Sequence, residues 1–309
     1  MNGPEMNILR YQHRAMATLF EVMIAEEDEA FAAGTSHAAF EEIDRLEQDL
    51  SRYLPNSDIS RINNLKPGES VRVAAHTFEC LRLSLQYQEE TGGAFDVAAG
   101  ALKDFWARGE KPPDISPPDG IGESGRRSLK SALVLDEKEM SVLVRGRPTL
   151  LDLGAVGKGF AVDRAAGLLM EWGVGSALVH GGTSSTYAFG NYPGHSGWPV
   201  TISNPAPPAE VLEKMSLKDQ GLGGSGIRKG RHIIDPRRGV PVEHRRAAWV
   251  LSDSATRSDA LSTACMILTP EEIEGLIGHD QELRVIIVEE GPAPVLRFGP
   301  HGAAGEGSA

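Results

Sequence analysis

A chain of 309 residues can bury a sizeable core and is expected to form one large domain or two lobes. Its 40% apolar and 24% charged residues are an ordinary globular balance. The formal net charge of -12 argues against a nucleic-acid partner, because a phosphate backbone selects for basic stripes, although a local basic pocket for a small phosphorylated ligand stays allowed.

Two cysteines, Cys80 and Cys265, favour free thiols in a reducing compartment over a disulfide framework. The first residues, MNGPEMNILRYQHRAMATLFEV, have no basic start followed by an apolar run, and no stretch reaches transmembrane length. A cytoplasmic location is therefore expected. Nothing in the residues sets an oligomeric state.

Along the chain, 16–24 (MATLFEVMI) has the composition of a strand, and Ala30–Tyr53 reads as an amphipathic helix through Phe31, Phe40, Ile43, Leu46 and Leu50. Pro55 and Asn56 mark a turn, after which Ser57 or Asp58 can cap a short helix carrying Ile59, Ile62 and Leu65. Ala74–Thr91 is a further amphipathic helix, broken by Gly92 and Gly93. Residues 107–128, rich in Gly, Pro and charge, suggest an exposed insertion. Alternation over 132–144 around a DEK turn predicts a hairpin. A helix over Lys158–Trp172 ends at Gly173, a strand covers Ser176–His180, and a Pro/Gly-rich stretch at 191–209 surrounds another short strand. Further strands are expected at 231–234 and 247–252, with a helix from about Ser258. The pattern predicts α+β architecture in a single domain over 1–295, followed by a disordered Gly/Ala/Pro tail at 296–309.

Two patterns mislead. GLGGSG, 221–226, satisfies the dinucleotide-binding GxGxxG spacing, but no helix opens after it, so a Rossmann oxidoreductase is disfavoured. GAVGKG, 154–159, resembles a P-loop without its spacing or the hydroxyl after the lysine.

The strongest chemical feature is the loop around Gly154, Gly157, Lys158 and Gly159 at a helix start. Glycines let a backbone approach an anion, while helix N–H groups and a lysine supply donors. The alternative is a flexible helix start with Lys158 in solvent. Asp163 follows one turn later, placed for a sugar hydroxyl or for the helix dipole. In SDALSTA, 258–264, Asp259 and Thr263 share a helix face and offer hard oxygens suited to Mg²⁺; from spacing alone, an ordinary helix cap reads better. The segment 224–239 gathers Arg228, Lys229, Arg231, His232, Arg237 and Arg238, and its turn-like GSG and DPRRG stretches read as an ordered loop rather than a core strand. His232 could carry a proton, touch a phosphate or flavin, or sit at a strand edge. Met16 and Phe95 would suit the face of a planar ring, or simply the core.

In this order the pieces resemble the ApbE-type flavin transferase family, the FAD:protein FMN transferases, over roughly residues 14 to 280. Met16-Ala17-Thr18 is similar to the family's Met-Gly-Thr, and Ser51-Arg52-Tyr53-Leu54-Pro55-Asn56-Ser57 to its Ser-x-Tyr-x-Pro-x-Ser. Gly92-Gly93-Ala94-Phe95-Asp96 matches Gly-Gly-x-Phe-Asp. Asp152, Gly154, Lys158, Gly159 and Asp163 match Asp-x-Gly-x-x-x-Lys-Gly-x-x-x-Asp. His232, Asp235, Pro236 and Gly239 precede 258–264, where Ser258 replaces an alanine. The chain departs from the pattern at Ala17, at Thr183-Ser184-Ser185 after Gly181-Gly182, and at Gly224-Ser225-Gly226 where Thr-Ser-Gly is usual.

The resemblance implies a two-lobed α+β fold with antiparallel-rich sheets and flanking helices, the nucleotide lying between the lobes. It implies Mg²⁺ on Asp259, Thr263 and a backbone oxygen near Ala155. It places Met16, Tyr53, Phe95 and Asp96 toward the flavin, Gly154, Gly157, Lys158, Asp163 and Ser225 toward the nucleotide, and His232 and Asp259 as catalytic candidates. The implied reaction moves FMN from FAD to a Ser or Thr hydroxyl of an acceptor protein, with release of AMP. The alternatives are an FAD pyrophosphatase using water and a non-catalytic flavin-binding protein.

Overall fold

Helical periodicity and strand alternation resolve into an antiparallel eight-stranded sheet with helices on one face. The computed structural model describes residues 7–109, 132–145, 150–205, 210–227, 230, 232–291 and 295–300. In chain order the strands begin with β1 (Asn7–Ala15), β2 (Thr18–Glu26), β3 (Ser70–Arg72), β4 (Leu133–Asp136) and β5 (Ser141–Val144). There follow β6 (Ala177–Gly181), β7 (Ser185–Phe189), β8 (Trp198–Ser203), β9 (Val211–Leu217) and β10 (Gln220–Gly226). The last are β11 (Ile234–Asp235), β12 (Val240–Pro241), β13 (Arg245–Ser252), β14 (Arg284–Glu289) and β15 (Val295–Phe298). The helices are α1 (Glu29–Leu50), α2 (Asp58–Asn63), α3 (Ala75–Glu90) and α4 (Gly100–Ala107), then α5 (Gly157–Glu171), α6 (Ala255–Cys265) and α7 (Pro270–His279).

The large sheet runs β1-β2-β6-β7-β10-β13-β14-β15, each pair antiparallel. Alternation assigns its two faces. Val22, Ile24, Val179, Val250 and Ile287 join the helices in the main core. Leu178, Leu222, Leu251 and Ile286 point the other way and are covered by Trp198, Ile202 and Leu217 of the β8–β9 hairpin. The smaller unit holds the sheet β3-β5-β4 with α2 nearby. Asn63 of α2 ties it to the segment before α5, its amide donating to the Leu151 carbonyl at 3.1 Å and accepting the Leu151 N–H at 2.7 Å. The architecture is the expected α+β arrangement of antiparallel sheets and flanking helices.

The sequence places α1, α2, α3, α5 and the β4–β5 hairpin closely. The strand expected at 231–234 is reduced to β11 at Ile234–Asp235, and three further differences bear on the site or the chain's end. GLGGSG is strand β10, in the middle of the sheet, and not part of a loop. A Cβ on Gly221 would stand 2.3 Å from the Ser254 carbonyl carbon, and one on Gly223 2.2 Å from that of Ser258. These glycines let α6 lie directly on the strand, a packing that hydrophobic alternation does not register. Secondly, α6 begins at Ala255 with Ser254 as its cap, so Asp259 lies inside the helix and is not its N-cap. Thirdly, β15 runs into the segment expected as a tail, pairing Val295–Phe298 with β14. Residues 301–309 and most of the insertion at 107–128 lie outside the described residues. Among the described residues no helix is long and apolar enough to cross a membrane.

Candidate active site

Helix α6 is clamped from two sides. Beneath it lie the glycines of β10; beside it runs α5, whose Gly159 would carry a Cβ only 2.3 Å from the Ala255 carbonyl oxygen. That close crossing brings Asp259 against the start of α5. The Asp259 carboxylate is 2% exposed. Its Oδ2 accepts the Gly159 N–H at 3.0 Å and lies 3.4 Å from Lys158 Nζ, and the Ser185 side chain is close enough to favour its charged form. Burial raises its affinity for a proton; Lys158 and the Gly159 N–H act the other way.

One turn on, Thr263 Oγ1 is 2.9 Å from Ser225 Oγ of β10, and Ser225 Oγ is also 2.9 Å from Ser262 Oγ. Thr263 and Ser262 both donate to the Asp259 carbonyl, at 3.4 and 2.9 Å. A carboxylate and several hydroxyls thus share one end of the sheet, a hard-oxygen set with one cation beside it. Among the described residues no group of three His, Cys, Asp or Glu side chains could hold a metal by itself. Asp259 and the neighbouring hydroxyls could hold a hard cation only together with water or ligand oxygens, because one carboxylate cannot fill a coordination shell.

The Gly-Lys loop is more internally committed than its sequence implies. Gly154 is exposed, its N–H donating to Asp152 Oδ1 at 2.8 Å, and its carbonyl lies 3.4 Å from Lys158 Nζ. Gly157 and Gly159 are buried, however, and their N–H groups go to the Leu153 carbonyl and to Asp259. The open part of the loop is therefore Gly154–Ala155 with the Lys158 ammonium. Burial alone would push the Asp152 carboxyl up, but Lys103, the Gly154 N–H and Arg52 together hold it below the usual carboxylate range.

Asp163 does not face the loop. Its oxygens accept the Ala255 and Thr256 N–H groups, each at 2.8 Å, and the Thr256 hydroxyl. It is a cap supplied by α5 to the orphan donors at the start of α6, and burial pushes its carboxyl up to about 6. Phe95 is 1% exposed and packed edge-on to Tyr87 in the core. Half-buried Asp96 accepts from Gln88 Nε2 at 2.7 Å and from the Ala98 N–H, fixing the turn after Gly92-Gly93.

Met16 and Ala17 form the two-residue turn between β1 and β2, with φ of 48° and 56°. Two positive φ values are the pattern of a type I′ hairpin turn, normally given to Asn or Gly. Strained backbone of this kind concentrates at functional segments. The turn sits at the same sheet end as Gly181-Gly182, whose second N–H donates to the Leu19 carbonyl. Tyr53 is 75% exposed, with the Arg52 guanidinium 4.7 Å from its ring centroid. His232 Nδ1 is 2.9 Å from the Gly230 carbonyl oxygen. Arg228, Lys229 and Arg231 lie outside the described residues.

The structure thus gathers Asp259, Thr263, Ser225 and Lys158, and sets Gly154 and Ala155 at the opening of the same loop. It adds Ser185, Ser262, Asp152 and Arg52, which sequence reading did not assign to the site. Ser185 stands in the Thr-Ser-Ser departure after Gly181-Gly182, and that local oddity was its one visible signal.

The profile of the ApbE family matches residues 16–287. The FAD:protein FMN transferase of Klebsiella pneumoniae is 26% identical over 294 residues, covering 90% of this chain and 83% of its own length. That of Haemophilus influenzae is 27% identical over 302 residues, covering 91% and 84%. In fold, the flavinyl transferase ApbE of Pseudomonas stutzeri, apo form, superposes with a TM-score of 0.79 at 24% identity over 96% of each chain. The flavin transferase ApbE of Vibrio cholerae gives 0.77 at 22%, covering 95% of this chain and 97% of its own. With the profile spanning nearly the whole described fold, from the β1–β2 turn to β14, the chain belongs to the ApbE family.

Proposed function

We propose that this protein binds FAD and transfers its FMN half to a Ser or Thr hydroxyl of an acceptor protein, releasing AMP. The observation that carries the reading is the meeting of Asp259, Thr263, Ser225 and Lys158 at one sheet end, beside the Gly154–Ala155 loop, in a chain of the ApbE family. Asp259, Thr263 and the Ala155 carbonyl are the proposed Mg²⁺ ligands, and their all-oxygen chemistry fits that ion. When bound, the ion supplies neutralisation of the pyrophosphate charge that would otherwise repel a nucleophile.

The chain's own residues do the remainder. Lys158 is placed to exchange its ion pair with Asp259 for a phosphate oxygen. Gly154 lets the backbone come close to the same group. Met16 and Tyr53 are assigned to the isoalloxazine, Ser225 and His232 to the nucleotide side. The acceptor oxygen bonds to the FMN phosphorus as the bond from that phosphorus to the bridging oxygen breaks, and AMP departs with that oxygen. The hydroxyl proton is assigned to the Asp259 carboxylate, which would then serve as proton acceptor as well as ligand.

The test is AMP release from FAD, followed by chromatography with and without Mg²⁺. Asp259→Asn is expected to abolish release, and His232→Ala to weaken FAD binding while leaving the Mg²⁺ requirement in place. Undiminished release by the Asp259 variant would refute the assignment.

A further inference from the structure

Arg52 follows α1 directly, yet its side chain is only 9% exposed. Its Nη1 and Nη2 donate to both oxygens of Asp104 on α4, at 3.1 and 2.6 Å. Nη2 also donates to the Tyr53 hydroxyl at 3.0 Å, while the guanidinium lies over that ring. The remaining donor, Nε, is buried, has no hydrogen bond, and lies 3.4 Å from Asp152 Oδ2. Asp152 in turn holds Lys103 Nζ at 2.9 Å and the Gly154 N–H at 2.8 Å. The Arg52 carbonyl is pinned by the Ser60 hydroxyl at 3.1 Å.

Two physical consequences follow. An exposed tyrosine in a turn would ordinarily sample several rotamers, but this ring is fixed from behind by a flat cation and a bond to its hydroxyl. Furthermore, Arg52 and Lys103 balance Asp104 and Asp152; without Arg52, two carboxylates would face one ammonium beside the loop proposed for the pyrophosphate. The planar, multi-donor guanidinium does both jobs, whereas a lysine could supply only the charge.

We propose that Arg52 is a positioning residue for the nucleotide, holding the Tyr53 platform on one side and the charge balance of the Asp152–Gly154 loop on the other. This rests on the proposed binding of FAD.

The experiment measures affinities of the full chain for FAD, by flavin fluorescence quenching, and for ADP, which keeps a pyrophosphate but has no flavin. Thermal unfolding of every variant is followed in parallel. Arg52→Lys is expected to keep ADP affinity close to wild type and to lose about tenfold in FAD affinity, the size of one cation–π contact converted to binding. Adding Tyr53→Ala to Arg52→Lys should cost little more, because the first change already frees the ring. Arg52→Gln should weaken both ligands. The proposal is overturned if Arg52→Lys binds FAD like wild type or if the Arg52 and Tyr53 effects add. It is overturned equally if every Arg52 variant weakens FAD and ADP by one common factor that tracks its loss of thermal stability. If wild type binds no FAD, the proposed function fails with it, and that outcome is distinct from the others.

Discussion

Replacing Asp163 by asparagine separates two opposed effects in one buried carboxylate. Three donors at the start of α6, the Ala255 and Thr256 N–H groups and the Thr256 hydroxyl, converge on it. Burial nevertheless raises its carboxyl to about 6 from an ordinary value of 3.8. A carboxyl whose folded value lies above its unfolded one stabilises the fold at low pH and loses that contribution as pH rises through the folded value. For Asp163 the window runs from its ordinary value up to about 6. At about pH 5, one unit below the folded value, wild type keeps on the order of 1 kcal/mol of this stabilisation, and at about pH 7 almost none. Asparagine does not titrate, so the stability gap between wild type and Asp163→Asn should be larger at about pH 5 than at about pH 7 by on the order of 1 kcal/mol. Urea unfolding followed by far-ultraviolet circular dichroism, with both proteins in the same buffers, reads that difference directly. A gap independent of pH would show that the helix donors outweigh burial and that Asp163 remains an ordinary ionised cap.

Other consequences can be checked in the same way. Ala17 sits at a φ of 56°, where a side chain costs about 1–2 kcal/mol and glycine does not. After allowing for the greater freedom of glycine in the unfolded chain, Ala17→Gly should stabilise the protein by roughly 0.5–1 kcal/mol, seen as a higher unfolding midpoint; a lower one would contradict the turn geometry. Gly223→Ala would place a Cβ 2.2 Å from the Ser258 carbonyl, against backbone that cannot swing aside. It should cost about 3 kcal/mol or more and abolish FAD binding by lifting α6, and with it Asp259, from β10. Near-wild-type binding and stability in that variant would mean that helix and strand are farther apart than described.

What the sequence made legible was whatever depends on local repetition. Phe40, Ile43, Leu46 and Leu50 announce α1 because each turn of one helix faces the same core. Strand β1 went unseen: it is an edge strand with much of its length partly exposed, so apolar residues do not dominate either face. Strand β10 was hidden by its glycines, which read as turn residues until α6 is seen lying on them. The site divides in the same manner. Lys158 and the Asp259–Thr263 pair stand out as local motifs. Asp163 and Phe95 belong to equally clear motifs, but one caps a helix 92 residues further on and the other packs in the core. The Arg52–Asp104–Asp152 network joins three segments far apart in the chain, and no spacing rule reaches that distance.

The central claim, that FMN leaves FAD for a protein hydroxyl at the Asp259 site, is tested most directly by intact mass. Wild type and Asp259→Asn would each be incubated with FAD, Mg²⁺ and purified candidate acceptor proteins. The account predicts an acceptor that gains the mass of one FMN in step with AMP release, through a Ser or Thr and with the wild-type enzyme alone. Free FMN and AMP with every acceptor unmodified would contradict it and identify the reaction as hydrolysis.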